Sequence, residues 1–116
     1  MDLFVYGTLT DRGLLHALTG RSFTLQPARL HDYERIVPAR GYPFIRPRPQ
    51  HWVDGFLIRS VDEASLRQLD EYEAEGNLYH RTMVTVQAGD RTQSCAAYVV
   101  NGKLVTEDGA WKPPHL

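Results

Sequence analysis

The chain has 116 residues, 42% hydrophobic and 23% charged, with a net charge of −1, a balance typical of one globular domain. The near-zero charge gives no basic surface for nucleic acid, and no apolar run approaches the roughly 20 residues that span a bilayer. The N-terminus lacks the basic start and long apolar stretch of a signal peptide, and the single Cys95 cannot form an internal disulfide. We therefore expect a cytoplasmic protein that binds a small molecule, with no nucleic-acid or membrane partner; its oligomeric state stays open.

The first half of the chain predicts a strand, a turn, a helix and an irregular segment. Residues 3–6 form a short apolar run typical of a buried strand, and residues 7–9 break it at a glycine. Asp11 can cap a short helix that ends at Gly20. Four prolines within residues 38–49 indicate a loop or a sheet edge, because proline has no amide donor.

The second half predicts more strands than helices. Residues 52–59 form a strand pattern in which Gly55 marks a bulge, and residues 82–88 and 92–100 form a hairpin around Gly89-Asp90. The fold class is therefore α+β, with a curled sheet or a small barrel. We expect residues 1–116 to form one domain. Its tail, from about residue 103, is expected to be loosely ordered or to pack only through a tryptophan.

Glu73 is the residue on which the functional interpretation depends. Ser60 and Glu63 form an S-x-x-E pair, the capping pattern of a helix start, and Leu66 and Leu69 mark its apolar stripe. A helix that reaches Glu73 turns this carboxyl group inward, seven and four residues after the leucines. Burial and the helix dipole would both raise its pKa towards the range useful for proton transfer. The alternative is a helix that ends one residue earlier and leaves Glu73 in water.

Two other segments carry polar groups. The turn at residues 7–9 can present consecutive amides to an anion or a carbonyl group, although most turns of this kind are only turns. Tyr79 and Arg81 are two residues apart and share one face of a strand. Tyr79 can supply a hydroxyl group to a site, and Arg81 can pair with Asp70, Glu71 or Glu73. The five histidines lack zinc-site spacing and no nucleotide-binding motif occurs, so we expect no metal or cofactor.

Several short motifs together resemble one family. Tyr6-Gly7-Thr8-Leu9 is similar to the Y-G-[ST]-L signature of the γ-glutamylcyclotransferase-like (AIG2-like) family. Further similar motifs follow in the family's order: Gly41-Tyr42-Pro43, Val53-Asp54-Gly55, the segment from Leu66 to Glu73, Tyr79-x-Arg81 and Ala97-Tyr98-Val99. The resemblance covers residues 3 to about 100, while the loop at residues 32–50 and the tail have their own character. These departures leave the substrate less defined than the fold.

The resemblance implies a small mixed β-barrel with flanking short helices and a cavity at one mouth. It implies that Glu73 is the general acid and base. It also implies a substrate-binding set made of Tyr6, Gly7, Thr8, Leu9, Tyr79 and Tyr98. The implied activity is a γ-glutamyl cyclotransferase that needs no cofactor and releases 5-oxoproline and a free amine from a γ-glutamyl-amine or γ-glutamyl dipeptide. Two alternatives remain: a non-catalytic binding domain for a small carboxylated ligand on the same fold, and a scaffold or interaction protein that uses an exposed sheet edge or the proline-rich loop.

Overall fold

A computed structural model describes residues 1–75 and 77–112. Its strands and helices are β1 (Leu3–Val5), α1 (Arg12–Thr19), β2 (Leu25–Ile36), β3 (Phe44–Ile58), α2 (Glu63–Tyr72), β4 (Tyr79–Ala88) and β5 (Arg91–Val100). Within the described residues the strands close into a barrel in the order β1-β3-β2-β4-β5. β1 and β5 are parallel and the other neighbours are antiparallel. The predicted fold class, a small mixed β-barrel with flanking short helices, is confirmed.

Alternating side chains of the strands build two apolar clusters. One cluster consists of strand residues alone, including Phe4, Leu57 and Val86, and therefore fills the inside of the barrel. The other joins the opposite strand faces to the helices through residues such as Leu15 and Leu69. The two helices are thus held on the outside of the barrel by buried leucines, which fixes the position of the end of α2.

The bulge expected at Gly55 lies elsewhere. Gly55 pairs in register with Ala28, and a Cβ at this position would overlap the carbonyl oxygen of Val5, so its role is to let β1 approach closely. The register between β2 and β3 shifts between His31 and Tyr33 instead. β3 also begins earlier than residue 52, and its Pro47 lies in a part of the strand that pairs with β2 alone, in agreement with the predicted sheet edge.

The two helices test the predicted caps. Asp11 caps α1 by accepting hydrogen bonds from the amides of Gly13 and Leu14, and Gly20 ends the helix with a left-handed backbone, as predicted. The predicted capping box of α2 is wrong. Asp62 is the cap, accepting from the Ser65 amide at 3.1 Å, because it stands immediately before the first helical residue whereas Ser60 is two residues too early.

The segment after β5 packs back on the barrel. It does so through several contacts and not only through those of the predicted tryptophan. The indole of Trp111 lies edge-on to Phe44 with ring centres 5.5 Å apart, and its Nε1 donates to the carbonyl oxygen of Tyr42 at 2.8 Å. Arg46 donates to the carbonyl oxygens of Thr106 and Glu107. Residues 113–116 of the predicted tail lie outside the described residues. Among the helices that the structure describes, none is long and apolar enough to cross a membrane.

Candidate active site

A cavity of about 850 Å³ opens where the turn after β1, the strands β2 and β3, and the end of α2 meet. It is larger than two other surface depressions, of about 570 and 500 Å³. Five of the predicted site residues line it: Tyr6, Gly7, Thr8, Glu73 and Tyr79. The fold therefore brings together residues that stand more than 60 positions apart in the chain.

The end of α2 places Glu73 on the cavity wall. The helix ends at Tyr72, and Glu73 is the capping residue, with its amide donating to the carbonyl oxygen of Leu69 at 2.9 Å. Ala74 then takes a left-handed φ of 50°, and the next amide, that of Glu75, donates to the carbonyl oxygen of Asp70. This pair of features is a Schellman-type helix end, which closes the helix and reverses the chain. The helix thus ends where the alternative interpretation put it, yet Glu73 lines the cavity.

Burial changes the acidity of Glu73. Desolvation in the cavity wall raises the pKa of its carboxyl group from 4.5 to about 7. Near neutral pH this group is therefore divided between the ionised and the protonated form. A carboxyl group with this property can take a proton from one reacting atom and return it to another.

The turn after β1 forms another part of the cavity wall. Gly7 has a φ of 69° and begins a 3-10 turn, Gly7–Thr10, whose first amides have no partner within the turn itself. The Thr10 hydroxyl donates to the carbonyl oxygen of Gly7 at 2.6 Å, and Leu9 is buried in the core. Leu9 consequently anchors the turn and is not part of the cavity lining.

Tyr6 and Tyr79 line the cavity and direct their hydroxyl groups to backbone carbonyl oxygens. Tyr79 donates to the carbonyl oxygen of Pro43 at 3.0 Å, and Tyr6 donates to that of Tyr98. Burial, and after it the charge of Glu73, raises the pKa of both Tyr6 and Tyr79, so both phenols stay neutral. They form a partly apolar lining that keeps Glu73 desolvated.

Tyr98 lies behind the cavity wall and not on it. Its hydroxyl group donates to Asp70 at 2.6 Å, and Arg81 donates to both carboxylate oxygens of the same Asp70, at 2.9 and 3.2 Å. Arg81 thus pairs with one of the three carboxylates predicted for it. Asp70 belongs to the last turn of α2, three residues before Glu73, so this network ties the helix end to β4 and β5. The geometry gives Tyr98 a supporting position, and direct contact of its hydroxyl group with substrate stays a prediction.

Several lining residues were not singled out as binding residues from the sequence. Among them are Thr10, Arg35, Tyr42 and Tyr72. The hydroxyl group of Tyr72 reaches that of Thr8 at 3.3 Å and links the two walls of the cavity. The proline-rich loop brings Tyr42 to the rim of the cavity. The similarity of Gly41-Tyr42-Pro43 to a family motif was the signal in the sequence that could have identified Tyr42 as a lining residue. Within residues 1–75 and 77–112, no three His, Cys, Asp or Glu side chains are grouped to hold a metal ion.

Comparison with known proteins shows the family of the chain. Residues 3–113 match the family described as gamma-glutamyl cyclotransferase, AIG2-like. AIG2-like protein C of Arabidopsis thaliana is 30% identical over 112 residues, which are 96% of this chain and 59% of that protein. The chain spans 53–59% of the length of the curated Arabidopsis relatives it matches.

Solved structures share the fold. A solution structure of an Arabidopsis thaliana protein superposes with a TM-score of 0.79 at 30% identity, over 96% of this chain and 68% of that chain. A crystal structure of an AIG2-like protein from Mus musculus superposes with a TM-score of 0.71 at 23% identity, over 98% and 84% of the two chains. At this lower identity, the mouse structure supports the fold alone.

Proposed function

Because this chain belongs to the gamma-glutamyl cyclotransferase, AIG2-like family, we propose that it is itself a γ-glutamyl cyclotransferase. It would convert a γ-glutamyl-amine or γ-glutamyl dipeptide into 5-oxoproline and a free amine. The observation that carries the proposal is a carboxyl group with a pKa near neutrality, that of Glu73, set in a cavity of about 850 Å³ that a glycine turn also lines. Such a reaction fits a small-molecule substrate and the cytoplasmic location expected from the sequence.

The reaction is an intramolecular acyl transfer. The α-amine of the γ-glutamyl group attacks its own γ-carbonyl carbon, a new C–N bond closes a five-membered ring, and the C–N bond to the leaving amine breaks. The substrate begins as an ammonium and an amide N–H, and the products are a lactam N–H and the ammonium of the leaving amine. The protons therefore balance, but they must be moved from the attacking nitrogen to the leaving one.

Glu73 would carry this proton transfer. As a carboxylate it accepts a proton from the attacking nitrogen, and as a carboxylic acid it donates one to the leaving nitrogen. A pKa close to the working pH makes both steps accessible to a single group. The cavity also folds the substrate so that its two ends meet, and ring closure is sensitive to such orientation.

The turn at Gly7 would hold the γ-glutamyl part and the developing oxyanion. Backbone amides without a partner inside the turn are fixed donors, and fixed donors stabilise an oxyanion more than mobile water does. The left-handed φ of Gly7 favours a residue without a side chain at this position. This part of the proposal follows what the family resemblance implies for Gly7, Thr8 and Leu9.

A product assay tests the proposal. Purified protein is incubated with a panel of γ-glutamyl-amines and γ-glutamyl dipeptides, and 5-oxoproline is detected by mass spectrometry. We expect product from the wild type and from Glu71→Gln, an exposed carboxylate on the same helix, but none from Glu73→Gln. Ligand binding by wild type and Glu73→Gln without product from either would instead favour a binding domain on the same fold.

A further inference from the structure

We propose that Arg35 binds the carboxylate of an amino-acid leaving group, so that the protein prefers γ-glutamyl dipeptides to γ-glutamyl-amines without an acidic group. This inference rests on the proposed function and adds a substrate class to it. It depends on the placement of Arg35, on the charges around the cavity, and on the direction in which a substrate must lie.

The guanidinium group of Arg35 stands at the cavity beside the glycine turn. Arg35 belongs to β2 and lines the cavity together with Gly7 and Glu73. Its Nη2 lies 3.8 Å from the point that a Cβ on Gly7 would occupy. The residue is exposed, so its charge is at the mouth and not at the floor.

Two other arginines of β2 and β3 are already paired, and Arg35 is not. Arg46 is 3.0 Å from Glu34, and Arg29 is 2.8 Å from Asp54, the other acidic residue of the lining. Among the residues that the structure describes, no carboxylate oxygen lies within 4.0 Å of Arg35. An unpaired guanidinium group on a cavity wall is well suited to a carboxylate, which it can bind through two parallel hydrogen bonds.

The direction of the substrate assigns this carboxylate to the leaving group. The attacking and leaving nitrogens must reach Glu73, which lies recessed in the wall, and the turn amides are taken by the γ-glutamyl part with its reacting carbonyl group. The leaving amine must depart towards solvent, so it points to the mouth of the cavity. The exposed Arg35 is therefore in the path of the leaving group. A dipeptide places a carboxylate there, whereas a simple amine places none.

A matched pair of substrates tests this assignment. γ-Glutamyl-alanine and γ-glutamyl-alaninamide differ only in the carboxylate of the leaving group. We expect wild type to have a higher kcat/KM for the acid. In Arg35→Gln this preference should fall about 10- to 100-fold, mainly through KM, since a charge-assisted hydrogen bond is lost. The value for the amide should change much less than the value for the acid, and Arg35→Lys should recover part of the preference.

A nearby arginine provides the control for charge alone. Arg48 lies on the neighbouring strand β3 with its side chain 55% exposed, and it does not line the cavity. Arg48→Gln should therefore keep the wild-type preference for the acid. An equal loss for both substrates in Arg35→Gln would overturn the proposal, because it would assign Arg35 to the α-carboxylate that both share. An unchanged preference would also overturn it.

Binding measurements separate this proposal from the proposed function. Calorimetry on Glu73→Gln, with and without Arg35→Gln, gives the Kd of both compounds without turnover. Tighter binding of the acid that is lost with Arg35→Gln supports the Arg35 assignment, even if wild type releases no 5-oxoproline. Equal binding of acid and amide to Glu73→Gln overturns the assignment, even if wild type is an active cyclotransferase.

Discussion

Replacing Glu73 by glutamine should change how the stability of the protein depends on pH. The pKa of Glu73 is raised from 4.5 to about 7 by burial, so the folded state favours the protonated form. The stability associated with this group is fully present below its unfolded pKa and is lost as the pH rises through the folded value. Each pKa unit corresponds to about 1.4 kcal/mol, so the loss is limited to about 3 kcal/mol, and partial solvent access reduces it to about 2–3 kcal/mol.

Glutamine has nearly the same shape and no ionisation, so the variant should not suffer this loss. We expect the free energy of unfolding of Glu73→Gln, relative to wild type, to rise by about 2–3 kcal/mol between pH 4.5 and pH 8.5. Urea denaturation at these two pH values and at pH 7 measures it, with the exposed Glu71→Gln as the control. A difference between variant and wild type that is independent of pH would refute the idea that burial perturbs Glu73.

Three further predictions follow from the same geometry. The kcat/KM for 5-oxoproline release should rise with pH and inflect near pH 7, where Glu73 becomes the carboxylate that accepts a proton. A stopped assay from pH 5 to 8 measures this profile, and a flat profile would count against Glu73 as the base. Arg81→Ala should lower the free energy of unfolding by about 2 kcal/mol, because Asp70 would lose both hydrogen bonds that Arg81 donates to it. The control Arg67→Ala, at an exposed position of the same helix as Asp70, should change the free energy of unfolding by no more than about 0.5 kcal/mol in the same urea titration. Gly55→Ala should cost about 1–3 kcal/mol, because its Cβ would overlap the backbone of β1, and an unchanged thermal midpoint would contradict this close approach.

The local features of the fold were accessible from the sequence. The cap at Asp11, the leucine stripe of α2 and the hairpin at Gly89-Asp90 depend on residues close together in the chain, and the structure has all three. The start of α2 was placed wrongly because two acceptors compete there. Asp62 accepts a hydrogen bond from the amide of Ser65, three residues later. Ser60 was expected to cap the helix in the same way, with Glu63 three residues later, and only the backbone geometry decides which of the two residues is the cap.

The composition of the cavity depends on long-range pairing, which the sequence does not encode in a local pattern. Arg35 reaches the cavity from the part of β2 that follows the register shift between His31 and Tyr33, and Tyr42 reaches it from the loop before β3. The pairing of β4 with β5 sets Tyr98 opposite Arg81 and its hydroxyl group on Asp70, and its predicted contact with substrate stays a prediction. Such positions follow from strand register, where a shift of one residue moves a side chain to the other face.

The measurement that tests the central claim most directly is the product balance of a single substrate. γ-Glutamyl-alanine is incubated with wild type, Glu73→Gln and Glu71→Gln, and 5-oxoproline, glutamate and alanine are quantified together. Ring closure predicts equal amounts of 5-oxoproline and alanine from wild type and Glu71→Gln, no glutamate, and no product from a folded Glu73→Gln. Glutamate in place of 5-oxoproline, or undiminished 5-oxoproline from Glu73→Gln, would contradict the account.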